Sequence, residues 1–214
     1  SLLTPPVLSM REIVPDIFTW SWFSEPHGYE FNGHLILDPA GNICIDPVPP
    51  GEEELATIIN KGVSHILLTN RNHSRAANLI RTRTGARTLI HRADADHARR
   101  QATVLDGEIT VGENFGPLEV IDVAGKSLGE VALYWRKRQI LIVGDVVIGH
   151  PAGRCGLLPE RVIDDPILLR RNVAALLALD FNILLVGDGE SILSHANDRL
   201  DQLAREFTDQ CGNQ

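Results

Sequence analysis

The run KGVSHILLTNRNHSRA, residues 61–76, decides how the rest of the chain is read. An apolar stretch, Ile66–Leu67–Leu68, stops at Thr69. Asn70, Arg71, Asn72, His73, Ser74 and Arg75 then crowd into one short polar segment before a helical pattern resumes over 76–81. Strand, polar loop, helix is the order of an α/β unit, and the loop at the carboxyl end of such a strand is where these folds place ligands. Residues 70–75 are therefore the candidate functional loop.

Upstream of it, acids in the first turn and the spacing of Leu55, Ile58 and Ile59 predict a helix over Glu52–Lys61. Phe31–Leu37 and Ile43–Asp46 read as a hairpin across the turn Asp38–Asn42, and Ile13–Trp22 is β-rich but broken by Pro15. Downstream, a helix is expected from about Ser74 to Thr84, stopped by Gly85, then a strand at Arg87–His91 and a helix over Ala93–Gln101. A second round begins at Gly107. Strands are expected at Ile109–Val111 and Leu118–Val123 around a turn at 112–117, with a further hairpin, Val131–Trp135 and Gln139–Val143, across Arg136–Arg138. Asp164 and Asp165 before Pro166 mark the start of a helix running to Leu179. Ile183–Val186 is a last buried strand, and after Asp188–Glu190 an amphipathic helix runs to about Phe207. Paired strands followed by strand–helix alternation, twice over, predict an α/β (α+β) fold: two sheets face to face with helices outside, a four-layer αββα sandwich. No low-complexity linker divides the halves, so one domain over 1–214 is expected, with 1–10 as a disordered start or an edge extension.

Across 214 residues, 43% hydrophobic and 22% charged is an ordinary globular composition. No apolar run approaches the ~20 residues needed to cross a bilayer. The opening residues carry two prolines in their apolar part and no basic residue ahead of it, which argues against a secretory signal. Cys44, Cys155 and Cys211 lack metal or redox spacing and read as reduced thiols of a cytoplasmic protein. A net charge of −8 disfavours nucleic acid and acidic membranes as partners. That charge is uneven: residues 71–100 hold eight arginines against Asp94 and Asp96, a local +6 that leaves −14 on the remainder. The arginines read first as a solvated helix face, and second as an anion-attracting rim near the Asn70–Arg75 loop.

The central loop resembles the signature of the metallo-β-lactamase superfamily, Thr-His-x-His-x-Asp-His at the end of a strand. Aligned on Thr69, the first His falls on Asn70, the second on Asn72, the Asp on Ser74 and the last His on Arg75. The resemblance extends along most of the chain. NGHLILDPAGNICIDP, residues 32–47, is similar to the family's opening hairpin. DVAGKSLGEVAL, 122–133, is similar to its Pro-Gly-His-Thr segment, with Lys126 at the His. ILIVGDV, 140–146, matches the Gly-Asp motif of the bridging carboxylate and keeps Asp145. LLVGDG, 184–189, matches the closing Gly-His-Gly with Asp188 for His.

The resemblance implies a hydrolase scaffold built for one or two ions, mostly zinc. Zinc takes imidazole, thiolate and carboxylate donors, whereas Asn70, Asn72, Ser74, Arg75 and Lys126 offer amides, a hydroxyl and two cations. Asp145 and Asp188 are then expected to be held by Lys126 and Arg75 in place of metal. No metal cofactor is expected. The alternative is a single divalent ion on Asp145 and Asp188 with His73 or Asn72, where oxygen-rich donors favour Mg or Mn. Three functions follow as expectations: a non-metal pseudoenzyme or small-anion binder using Arg75 and Lys126, a divergent one-ion hydrolase, or an interaction module working through the 71–100 face. His73 occupies a variable slot and is expected to point away from the pocket. Arg71 is expected to face solvent, His150 to have some chance of lining a site, His27 and His34 to be structural, and Asp46 to support the central loop. A Ser74–His73–Asp145 triad is disfavoured because adjacent side chains diverge.

Overall fold

In the computed structural model, residues 10–211 are described, without the side chains of residues 208, 210 and 211. The expectation for the start of the chain lies, over 1–9, outside the described residues. Seven strands form the first sheet in chain order: β1 (Arg11–Val14), β2 (Ile17–Ser24), β3 (Tyr29–Ile36), β4 (Ile43–Ile45), β5 (His65–Leu68), β6 (Arg87–His91) and β7 (Gly107–Ile109). β1 to β4 pair antiparallel, and β4 to β7 parallel. The second sheet holds β8 (Asn114–Phe115), β9 (Leu118–Asp122), β10 (Val131–Trp135), β11 (Ile140–Val143) and β12 (Ile183–Val186), in the order β12-β11-β10-β9-β8. Only β11 and β12 in it run parallel.

The layers follow from side-chain alternation along the strands. In β5, Ile66 and Leu68 pack with Trp20, Ile58 and Ile80 against α1 (Glu52–Lys61), α2 (Ala77–Thr84) and α3 (Arg92–Arg100). Leu67 turns to the other face and meets Val131, Leu133 and Ile142 of the second sheet. The outer face of that sheet, with Tyr134, Leu141 and Leu184, is covered by Val173 of α4 (Pro166–Leu176) and Leu200 of α5 (Ala196–Cys211). Both faces of β5 are dry, which is why its sequence is a continuous apolar run. Helix, sheet, sheet, helix is the expected four-layer sandwich. The Asp165 carboxylate caps α4 by accepting from Leu168 N at 3.0 Å, with Pro166 in the first turn. Among the described residues no helix is long and apolar enough to cross a membrane.

Several boundaries move. The β-rich stretch at the start is two strands, turned at Pro15 and at Asp16, whose φ is 65°. The second helix starts at Ala77 rather than Ser74, because Arg75 sits at φ 20° and cannot continue an α-helix. The strand expected at Ile109–Val111 lies at 107–109 and pairs with β6, so the chain changes sheets between Ile109 and Asn114 instead of making a hairpin there. α4 stops at Leu176, and α5 begins only at Ala196, after residues 187–195 fold back so that Ile192 bridges Leu184.

Candidate functional site: a charge cluster at the carboxyl ends of both sheets

Asp46 leaves β4 at φ 49°, and its carboxylate reaches across to the end of β5. Oδ1 accepts from Thr69 N at 2.8 Å, while Oδ2 accepts from Thr69 Oγ1 and, at 2.9 Å, from His73 Nδ1. The loop beyond Thr69 curls because Asn70 Oδ1 accepts from Asn72 N at 2.8 Å and Ala77 N closes on Ser74 O at 2.6 Å. The curl exposes Asn72 and drives His73 inward to 4% exposure. The expectation that His73 points away from the pocket is thus overturned. Its Nε2 lies 3.1 Å from Asp145 Oδ1. Lys126 Nζ lies 3.1 Å from the other oxygen, Asp145 Oδ2. The approach of the two sheets is as close as glycine allows: a Cβ on Gly144 would overlap Thr69 Oγ1, and one on Gly187 would stand 3.1 Å from His73 Cε1.

Both ring nitrogens of His73 face carboxylate oxygens, which accept when ionised, an arrangement that favours hydrogen on both and so the imidazolium. Burial opposes that charge and Arg75 repels it. Asp145 and Asp46 outweigh both and push the pKa up to about 10. His34 is the contrast inside the same sandwich. Its Nε2 meets the Val186 carbonyl and its Nδ1 the Thr19 hydroxyl, a neutral arrangement, and burial takes its pKa down to about 4. Burial likewise opposes ionisation of Asp145, but His73 and Lys126 hold its carboxyl well below the ordinary range. Asp188, after β12, is pushed up to about 6 by burial and by Asp145, against the pull of His73, Arg75 and Lys126. Burial and the charges of Asp188 and Asp145 raise Tyr29 to about 12.

The expected holding of the two aspartates is therefore corrected in its partners. Lys126 does bind Asp145, but His73 supplies the second contact. Arg75 donates its one hydrogen bond of the site to the Asp46 carbonyl at 3.2 Å and lies over the Phe31 ring at 5.6 Å, with Asp46, Asp188 and Asp145 near enough to favour its charge. Asn72 is outside the cluster, and Ser74 Oγ makes no hydrogen bond to His73, whose nitrogens are both taken. No triad forms. Asn70 Nδ2 is buried without a partner. Glu130 went unread in the sequence: it is 1% exposed, its Oε1 accepts from Asp145 N at 2.6 Å, and burial together with Asp145 raises its carboxyl well above the ordinary value. Arg71 is not free in solvent but pairs with Asp164 at 2.9 Å, and Arg81 pairs with Asp106 at 2.8 Å. His27 is exposed in the β2–β3 turn, where its Nδ1 meets Ser24 Oγ at 2.7 Å.

A cavity of about 840 Å³ lies beside this cluster, not over it. Thr19, Ser21, Glu30 and Asn32 line one wall and Gly149, His150, Glu190 and Ser191 another, and Tyr29 is the wall residue that carries the influence of Asp188.

The chain belongs to the metallo-beta-lactamase superfamily, whose family model matches residues 10–207. Solved structures agree on the fold. DIM-1 metallo-beta-lactamase is 17% identical, with 95% of this chain and 100% of that one covered at a TM-score of 0.75. A metallo-beta-lactamase from Erythrobacter litoralis is 15% identical over 95% and 99%, also at 0.75. TTHA1623 in a di-iron-bound form is 21% identical over 84% and 96%, at 0.65. No curated protein sequence matches the chain.

Family membership implies a metal centre, and the donors here can be tested for it. Among the described residues, His73, Asp145 and Asp188 form one group whose ligand atoms lie within 4.8 Å of one another. That set has a single imidazole, and both of its nitrogens are directed at carboxylate oxygens. It also shares Asp145 with an ammonium and stands beside a guanidinium. Ligation needs a neutral imidazole lone pair and deprotonated donors. These residues do not fit a two-zinc centre.

The cluster makes stability depend on pH with a definite sign. The folded-state pKa of His73, about 10, lies above its free value of 6.5, so its stabilisation is complete below pH 6.5 and is lost as pH rises toward 10. Asp145, shifted downward, acts oppositely, and its contribution fades only in acid below the ordinary carboxylate range. The melting temperature is expected to fall steadily between pH 6.5 and 10. In His73→Gln, melting followed by circular dichroism should show a flatter profile over that window from a lower starting value.

Proposed function

We propose that this chain is a metal-independent member of its superfamily, a small-molecule binding protein and not a zinc hydrolase. One observation carries the reading: the two oxygens of Asp145 are each taken by a cationic side chain, His73 and Lys126, at 3.1 Å. Three acids, Asp46, Asp145 and Asp188, are offset by three cations, His73, Lys126 and Arg75, so the fold neutralises the site from its own side chains. The reaction of metal relatives depends on a metal-acidified water, which needs an open coordination position on a bound ion. Here the carboxylates that would hold that ion already serve as counterions to fixed cations.

The anion expected near Arg75 and Lys126 narrows to Arg75, since the ammonium of Lys126 is committed to Asp145. Arg75 has a buried Nε with no partner, and Asp188 beside it accepts a proton near pH 6, which would ease the approach of an anion. Free thiols at Cys44 and Cys155 support a cytoplasmic home. A weak single ion on His73, Asp145 and Asp188 is the second reading, favoured by their proximity, and it requires His73 to give up a proton. Of the arginines at 71–100, Arg71, Arg81 and Arg99 are paired within the chain and Arg75 lies in the cluster, which leaves the interaction-module reading with less free charge than the sequence suggests.

Inorganic phosphate tests the binding half. Wild-type protein should gain melting temperature with added phosphate, more at pH 5.5 than at pH 8, and Arg75→Gln should not. An equal gain in both proteins would remove Arg75 from the reading.

A further inference from the structure

Two loops supply the cations of the cluster: residues 70–75 after β5 and 125–129 before β10. Nothing in the hydrogen bonds of the cluster joins these loops directly, since their charged ends meet only at Asp145. Asp164 links them at the surface, pairing with Arg71 and donating its N–H to the Lys126 carbonyl at 3.2 Å; the buried joint lies one layer back, at Asp94. This carboxylate sits in the first turn of α3 and is 1% exposed. Its Oδ2 accepts from Arg71 N at 2.8 Å and from Ser127 Oγ at 2.6 Å, and its Oδ1 accepts from Gly129 N at 2.9 Å. A Cβ on Gly129 would lie 2.6 Å from the Asp94 carboxyl carbon, so glycine is what lets the loop backbone reach it.

We propose that Asp94 is the positioning residue of the charge cluster, a brace that fixes the His73 loop and the Lys126 loop in one register. The inference rests on the reading of the cluster as a self-neutralised centre. Bonds from a buried carboxylate to N–H groups are strong and directional. Two of them fall one residue beyond Asn70 and three beyond Lys126, and the third takes the hydroxyl next to Lys126. A buried acid is costly unless hydrogen bonds satisfy it, and these three do so, with the charge of Arg71 near enough to help. Supporting partners of this kind decide whether a polar site holds its geometry.

The test compares Asp94→Asn and Asp94→Ala with a control, Asp106→Asn. Asp106 makes a similar set of bonds, to Arg81 and to Thr88 N, remote from the cluster. Nitrogen NMR of the imidazole at pH 7.5 reads His73 directly. All three variants should melt lower than wild type. In the two Asp94 variants the wild-type His73 imidazolium signals should shift or split, with alanine the worse, whereas Asp106→Asn should keep them unchanged. Unaltered His73 signals in folded Asp94→Ala would reduce Asp94 to ordinary structural support and overturn the proposal. A wild-type His73 that is neutral or metal-bound would instead overturn the metal-free reading, and the Asp94 comparison would still report on positioning. Should Asp94→Ala not fold, Asp94→Asn carries the same comparison.

Discussion

Replacing Lys126 with alanine should destabilise the fold by about 3–5 kcal/mol, the usual penalty for stripping one partner from a buried ion pair. Lys126 is 3% exposed and Asp145 4%, so solvent does not replace the lost ammonium, and His73 alone is left to offset the carboxylate. For a chain of this size that loss lowers the melting temperature by roughly 10 °C. The double variant Lys126→Met with Asp145→Asn removes both charges at near-constant volume, and it should be clearly more stable than Lys126→Ala. A pair buried this deeply is offset by desolvation, so deleting it whole costs less than breaking it. Denaturant unfolding of wild type, Lys126→Met, Asp145→Asn and the double variant measures the coupling. A Lys126→Ala protein as stable as wild type would mean that the ammonium does not neutralise the site.

The second large effect is a gain. Asn70→His, Asn72→His, Ser74→Asp, Arg75→His, Lys126→His and Asp188→His together place the family's donor types on the aligned positions, with Asp145 retained. The fold is that of the metal relatives, and losing the Asn70 side chain that curls the loop lets residue 72 turn inward from its exposed position; with both cations gone from the centre, this variant should bind zinc and be stabilised by about 4 kcal/mol at a free zinc level a thousand times its Kd. Asn70→His with Asn72→His alone should gain little, because Lys126 and Arg75 would still hold positive charge at the centre. Calorimetric zinc titration of both variants separates these outcomes. Tight zinc binding by the two-histidine variant would show that the fixed cations do not exclude the ion.

The layers and most strands were legible because their signals are local. Ile66–Leu68 and Ile140–Val143 are apolar runs too short for helices, and Asp165–Pro166 is a helix start in two residues. The change of sheet after Ile109 was not legible, since which sheet a short strand joins depends on pairing across the whole sandwich. In the cluster, the positions of Lys126, Asp145 and Asp188 could be aligned by motif. His73 could not, because its direction is set by Asn70 capping Asn72 and by the positive φ of Arg75. A signal was present all the same: Asp46, Asp145 and Asp188 together need three positive charges, and Arg75 with Lys126 supply two. Counting Asp46 among the buried acids would have pointed to the one imidazole in the loop. Asp94 and Glu130 act mostly through backbone N–H groups, which leave no mark in the pattern of residue types.

On the proposed reading, side-chain cations occupy the place of metal. Wild-type protein purified without chelator, then dialysed against excess zinc and analysed by elemental mass spectrometry, tests it most directly. Far less than one equivalent of zinc per chain should be retained, with no rise in melting temperature. One or two equivalents held through gel filtration, with a zinc-dependent rise in melting temperature, would contradict it.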